Sequence, residues 1–205
     1  MPKFAIAALV AAGSLLLAIL AANAPPAAAP AAAQERANPA AESPNLAGAV
    51  FTEDGALARP VDYRDWQFVT AGVGMSYGPA AQAAALTGHV MADNVFVQRE
   101  AYRAFLKDGV WPEGTMFVLE LRGTETQRPP NNRGYFQTDL HGIEVSVKDS
   151  SRFDGRWAYF DFGMNSKSAK PEPQSNCFAC HKANAQVDMT FVQFYPTLQG
   201  VKPRT

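Results

Sequence analysis

The sequence predicts an α+β domain built on an antiparallel β-sheet packed with helices. Three observations carry that reading. Four β-prone runs stand at short spacing between Thr115 and Phe162, each bounded by Gly, Asn or Asp. An amphipathic helix precedes them, and a polar, proline-bearing loop with short helical segments follows.

The N-terminus is read first. Lys3 is a minimal basic region, Phe4 to Leu20 is apolar, and Ala22-Asn23-Ala24 is an A-x-A cleavage signal. Residues 1–24 are therefore expected to be a signal peptide, with a retained membrane anchor as the alternative. The apolar run is short for a span, and no second one follows. Either way the domain is expected outside the cytoplasm, in the periplasm. Residues 25–44 are an Ala/Pro-rich linker that cannot bury a core. The remaining residues, 45–205, suit one domain with one core. Of the 18 Lys and Arg residues only Lys3 lies in the leader, so 17 basic and 19 acidic residues remain, a net charge of −2. That balance argues against nucleic acid, and no basic tract points to an anionic lipid surface.

Asp62 to Trp66 is expected to be a helical turn capped by Asp62. Gln67 to Thr70 either continues it or begins a strand. Ala71 to Gly88 is glycine-rich with Pro79 and is expected to be irregular, with a short Ala-rich turn at Ala80 to Leu86. Val95-Phe96-Val97 is a short β-prone run. Arg99 to Lys107 should be a helix with Ala101, Tyr102, Phe105 and Leu106 on one side, stopped by Gly109. Trp111-Pro112-Glu113-Gly114 is turn chemistry. The four strand candidates are Thr115–Arg122, Gly134–Thr138, Ile143–Lys148 and Trp157–Phe162. Asn165 to Asn176 carries Pro171 and Pro173 and reads as a loop. A short helix should open at Cys177. A second is expected from Gln186 to Tyr195, with Val187, Phe191 and Tyr195 at helical spacing before Pro196.

The motif that carries chemistry is Cys177-Phe178-Ala179-Cys180-His181, a C-x-x-C-H box. This spacing is the attachment signature of a c-type haem. Two thioethers would hold the porphyrin through Cys177 and Cys180, and His181 would be the proximal iron ligand. Three other readings compete. A thioredoxin-type C-x-x-C belongs early in a βαβ pattern, whereas this box lies near the end. A zinc site would need further ligands, and only His89 and His141 are available, without paired spacing. A disulfide between the two cysteines would close a very small loop. The position of the box also separates haem classes. Four-helix cytochromes would show long helical periodicity before it, and small electron-transfer cytochromes place it near the start with a Met ligand later. Here β segments come first, and only 24 residues follow His181.

These segments together resemble the cytochrome P-460 family. The likeness runs through Val95-Phe96-Val97, the helix ending in Phe105-Leu106, and Trp111-Pro112-Glu113-Gly114-Thr115 leading into the strand to Arg122. It continues through Glu144–Asp149, Arg152-Phe153 and Gly155–Phe160 to the haem box, covering most of residues 60–185. The resemblance implies a five-stranded antiparallel sheet with helices, one haem against the sheet, and a homodimer. Members include exported enzymes that oxidise hydroxylamine, with nitric oxide chemistry. Relatives, the cytochromes c′-beta, bind nitric oxide or carbon monoxide without that activity. In the enzymes a lysine on the strand entered from the W-P-x-G-T turn is linked to the porphyrin edge. That strand, Thr115 to Arg122, holds no lysine here, and Lys148 belongs to a later segment. The resemblance therefore favours binding of nitric oxide or a similar small ligand, with possible electron transfer to an unidentified partner, over hydroxylamine oxidation.

The occupant of the sixth iron position would decide the function. Candidate closers are His89, His141, Met75, Met91, Met116, Met164 and Met189, each more often a surface His or a core Met. The resemblance favours an open, apolar distal face. It also places Glu144 where the hydroxylamine oxidisers carry a pocket carboxylate, so Glu144 is the candidate proton relay. The competing reading makes Glu144 a solvent-facing residue that alternates with Ile143, Val145 and Val147, as Ser146 and Lys148 do. Glu120 is a second, weaker candidate. Phe117 and Phe160 are candidate aromatic walls, or ordinary core.

Overall fold

The computed structural model describes residues 46, 48–75 and 90–203. The expected leader, residues 1–24, the linker, 25–44, the Ala80–Leu86 turn and His89 lie outside them.

Five strands form the main sheet: β2 (Gln67–Val73), β3 (Met91–Val97), β4 (Met116–Glu125), β5 (Phe136–Lys148) and β6 (Trp157–Asp161). Their spatial order is β2-β3-β4-β5-β6, the same as their chain order, and every neighbouring pair is antiparallel. This is the expected α+β architecture. Two short strands, β1 (Leu57–Ala58) and β7 (Ser168–Ala169), pair separately.

Helix α1 (Arg99–Asp108) lies between β3 and β4. It ends where predicted: Gly109 has φ 67°, a left-handed conformation that a Cβ disfavours, and its N–H donates to the Phe105 carbonyl. Ala101 and Phe105 are fully buried, but Leu106 is 44% exposed, so the buried stripe is narrower than expected. Phe105 stacks on Trp111 with ring centroids 4.0 Å apart, and Trp111 packs edge-on against Phe117 of β4. The helix and the turn after it are thereby fastened to one face of the sheet.

Both faces of the sheet are covered. One carries Phe117, Trp157 and Tyr159 under α1 and the C-terminal segment. The other carries Met116, Val118, Ile143, Val145, Val147 and Phe160, closed by Leu57 and Tyr63 from the N-terminal part. Alternation along β5 thus divides two buried faces rather than inside from outside.

Several expected elements differ. The two candidates Gly134–Thr138 and Ile143–Lys148 are one thirteen-residue strand, its pairing with β4 interrupted by register shifts near Arg122. β2 extends to Val73, into the glycine-rich stretch expected to be irregular. Residues Tyr63–Asp65 form a 3₁₀ turn, but Asp62 makes no side-chain cap. The 165–176 loop contains β7.

The largest correction is at Gln186–Tyr195, where no helix forms. Asp188 and Met189 have φ 43° and 63°, and Val187 and Thr190 bridge back-to-back through paired N–H···O bonds. A 3₁₀ turn at Val192–Phe194 follows. The burial pattern was nevertheless informative, since Val187 and Tyr195 are both buried. A tight turn satisfies the same apolar spacing as a helix and, in addition, aims the Met189 carbonyl at His181.

Candidate haem site

The C-x-x-C-H box opens helix α2 (Cys177–Asn184), as its sequence predicted. No residue of this helix is fully buried, so little apolar surface anchors it. Its anchor is Phe178, whose ring lies directly against Gly155; any side chain at 155 would collide with that ring. Cys177 and Cys180 are free thiols, the first half-buried and the second exposed. Burial pushes the Cys177 thiol above its ordinary value.

His181 sits between two aromatic rings, Tyr159 of β6 and Phe191, each with its centroid 4.4 Å away. Its Nδ1 lies 2.7 Å from the Met189 carbonyl oxygen. A carbonyl only accepts, so Nδ1 carries the proton and Nε2 keeps a free lone pair. Burial holds the imidazole below its usual pKa, which favours the neutral ligating form. The turn that presents Met189 is fixed on its far side by Trp111, whose Nε1–H donates to Thr190 Oγ1 at 2.9 Å.

Between α2 and the sheet lies a cavity of about 660 Å³, within the roughly 300–1,000 Å³ range of cofactor and ligand sites. Both cysteines and His181 line it. The sheet contributes two cross-strand rows to the opposite wall. One is Val95–Leu119–Glu144–Asp161, and the other is Phe117–Ser146–Tyr159. Asp93 of β3 is buried and also lines the cavity. No Lys or Arg is among the described residues that do.

Glu144 therefore does not face solvent. Burial pushes its pKa up to about 7, reinforced by the charges of Asp161, Asp93 and Glu172. Burial likewise raises Asp93. These carboxyls stand in a largely apolar space, with Val95, Leu119, Phe117, Tyr159 and Phe191 among its walls, that the flat ring of a porphyrin suits. Two thiols on one helical turn, a neutral imidazole one residue later and an aromatic-walled cavity beside them fit a covalently attached haem. Cys177 and Cys180 would hold its edge and His181 its iron.

The other candidates separate cleanly. Glu120 is on the opposite face of the sheet, 3% exposed, with Arg64 and Arg122 each 2.6 Å from its carboxylate, Asn94 at 3.3 Å, and the Tyr63 hydroxyl donating to it. Burial alone would raise its pKa, but Arg122, Tyr63 and Arg64 outweigh burial and hold it low. It is a structural counter-ion, and its candidacy for the site falls. Phe160 belongs with its side chain to that opposite cluster, whereas Phe117 packs on the site's side. Lys148 is 3% exposed and does not line the cavity; its ammonium is bonded to the Trp111 carbonyl and to Asp188. Among the described candidates for the sixth position, Met75 lines the cavity. Met116 is in the opposite cluster, Met164 and His141 are exposed, and Met189 offers His181 its backbone carbonyl.

Sequence reasoning missed Tyr159, Asp161, Phe191 and the Met189 carbonyl. The first two were findable: Trp157, Tyr159 and Asp161 alternate along one strand face. The last two lie in the stretch whose apolar spacing predicts a helix and which instead forms a tight turn.

Comparison with curated proteins gives no match. The Cytochrome P460 family model matches residues 60–192, a span that begins just before β2 and takes in the whole sheet, the haem box and the His181-facing turn. The chain belongs to the cytochrome P460 family.

Proposed function

We propose that this protein is an exported mono-haem c-type cytochrome whose iron, ligated by His181, binds a small ligand of the nitric oxide class on the side facing the sheet. The observation that carries this reading is the cavity shared by Cys177, Cys180 and His181 on one wall and the Leu119–Glu144 row on the other. When bound, the haem would supply a redox-active iron with an exchangeable sixth position. The chain's own part is then to hold, orient and exclude water. Tyr159 and Phe191 clamp the imidazole, Phe117 and Leu119 keep the ligand side apolar, and Glu144 exchanges a proton near neutral pH. The A-x-A leader supports delivery to the periplasm, the family resemblance supports a homodimer, and single electrons would pass to a partner protein.

Oxidation of hydroxylamine is the second reading. A cavity carboxyl that titrates near 7 favours it, because N–H and O–H bonds must lose protons as electrons leave. Lysine-free strand β4 weighs against it, together with the engagement of Lys148 elsewhere.

The test is the absorption spectrum of the purified ferrous holoprotein, after acid-acetone extraction has shown the haem to be covalently retained. A five-coordinate spectrum that changes on adding nitric oxide or carbon monoxide supports the first reading. A six-coordinate low-spin spectrum unaltered by either gas overturns it. A strongly red-shifted ferrous band with turnover of hydroxylamine by a redox dye would establish the second.

A further inference from the structure

We propose that the ion cluster Lys148–Asp188–Arg156 positions the proximal imidazole: it holds the Met189 carbonyl against His181 Nδ1 and thereby sets the donor strength of His181 Nε2. The proposal rests on His181 being a haem ligand.

The Met189 carbonyl is presented by an unfavourable backbone. Asp188 and Met189 both have positive φ, 43° and 63°, a conformation that aspartate tolerates but that methionine adopts only when its surroundings impose it. The imposing groups are identifiable. Asp188 uses both carboxylate oxygens. Oδ2 is 2.6 Å from Lys148 Nζ, and Oδ1 is 2.8 Å from an Arg156 guanidinium nitrogen and 3.3 Å from Trp157 Nε1. Lys148 is almost fully buried and is itself held by the Trp111 carbonyl at 2.6 Å. Arg156 also has positive φ, 66°, so two constrained turns are joined through one carboxylate.

A chain of contacts therefore runs from the end of β5 to the imidazole: Lys148 to Asp188, one peptide to Met189, and its carbonyl to His181 Nδ1. A carbonyl accepting from Nδ1–H raises the basicity of the other ring nitrogen and fixes the ring's orientation. If that carbonyl drifts, Nε2 becomes a weaker donor to iron.

The same cluster could merely brace the fold, and the experiment separates the two roles. Asp188→Asn and Arg156→Asn are suitable variants, because asparagine tolerates positive φ at both positions. Each would be prepared as holoprotein, with circular dichroism and covalent haem content measured first. The readouts are the Fe–His stretch of the ferrous haem by resonance Raman and the midpoint potential. The potential reports on the ligand whatever fills the sixth position. A folded Asp188→Asn protein with a lower stretching frequency, a higher potential or both, and a smaller shift of the same sign in Arg156→Asn, would bear the proposal out. Folded Asp188→Asn with both readouts unchanged overturns it. Should Asp188→Asn not fold, unchanged readouts in Arg156→Asn, whose side chain is 54% exposed, overturn it instead. Failure of His181 ligation would show differently, as absence of histidine coordination in the unaltered protein.

Discussion

Glu144 on β5 stands directly opposite Asp161 on β6, and both residues line the cavity beneath the haem-box helix. Asp161 is exposed at the end of its strand, whereas Glu144 is set deeper, so desolvation first and the neighbouring negative charge second make Glu144 keep its proton to higher pH.

Ligand binding should therefore titrate through Glu144. The rate of carbon monoxide binding to the ferrous protein, followed by stopped flow between pH 5 and 9, should show a midpoint near 7. Asp161→Asn should move that midpoint down, because one source of repulsion is removed, and Glu144→Gln should abolish it. An identical profile in Glu144→Gln would assign the titration to another group.

The same carboxyl makes stability depend on pH. Its folded-state pKa lies above the ordinary 4.5, so its contribution is full below 4.5 and is lost as pH rises through about 7. Glu144→Gln escapes that loss. Urea denaturation should find the variant more stable than the parent at pH 8, by up to about 3 kcal/mol, and similar to it at pH 5.

Glu120 should behave in the opposite sense. Its pKa is held below 4.5, so its contribution is present above that value and disappears as pH falls. Glu120→Gln leaves Arg64 and Arg122 without their carboxylate and should cost on the order of 3 kcal/mol at neutral pH. Gas-binding kinetics should stay unchanged, because the residue faces away from the cavity.

Gly155→Val should dislodge the haem-box helix. The new side chain meets the Phe178 ring, and overpacking of this kind costs about 1–3 kcal/mol. Covalent haem per chain, measured as the pyridine haemochrome, should fall while far-ultraviolet circular dichroism from the sheet is retained.

Phe105→Ala should destabilise the whole domain by roughly 3–5 kcal/mol in chemical denaturation. Phe105 is fully buried and stacks on Trp111, the residue that ties α1, β4 and the His181-facing turn together.

Where local chemistry decided the outcome, the sequence was legible. Gly109 stops α1, the Trp111–Gly114 turn delivers β4, and Cys177 opens a helix, all as read from residue types. The side on which Glu144 lies was ambiguous for a definite reason. Alternation reports two faces, and only tertiary structure shows that both are covered here. The stretch after His181 misled because its apolar spacing of four fits a helix, while the deciding interaction, Asp188 with Lys148 and Arg156, spans 40 and 32 residues. Glu120 and Glu144 look alike as acidic residues in strands. Their cross-strand partners, Ile143 for one and Leu119 and Asp161 for the other, follow only from the register.

The main sheet is a meander whose last strand ends at Asp161, sixteen positions before Cys177. A polypeptide that emerges amino end first can thus assemble the entire far wall of the cavity while its thiols have yet to appear. The segment that carries them then closes over a surface that has already taken shape.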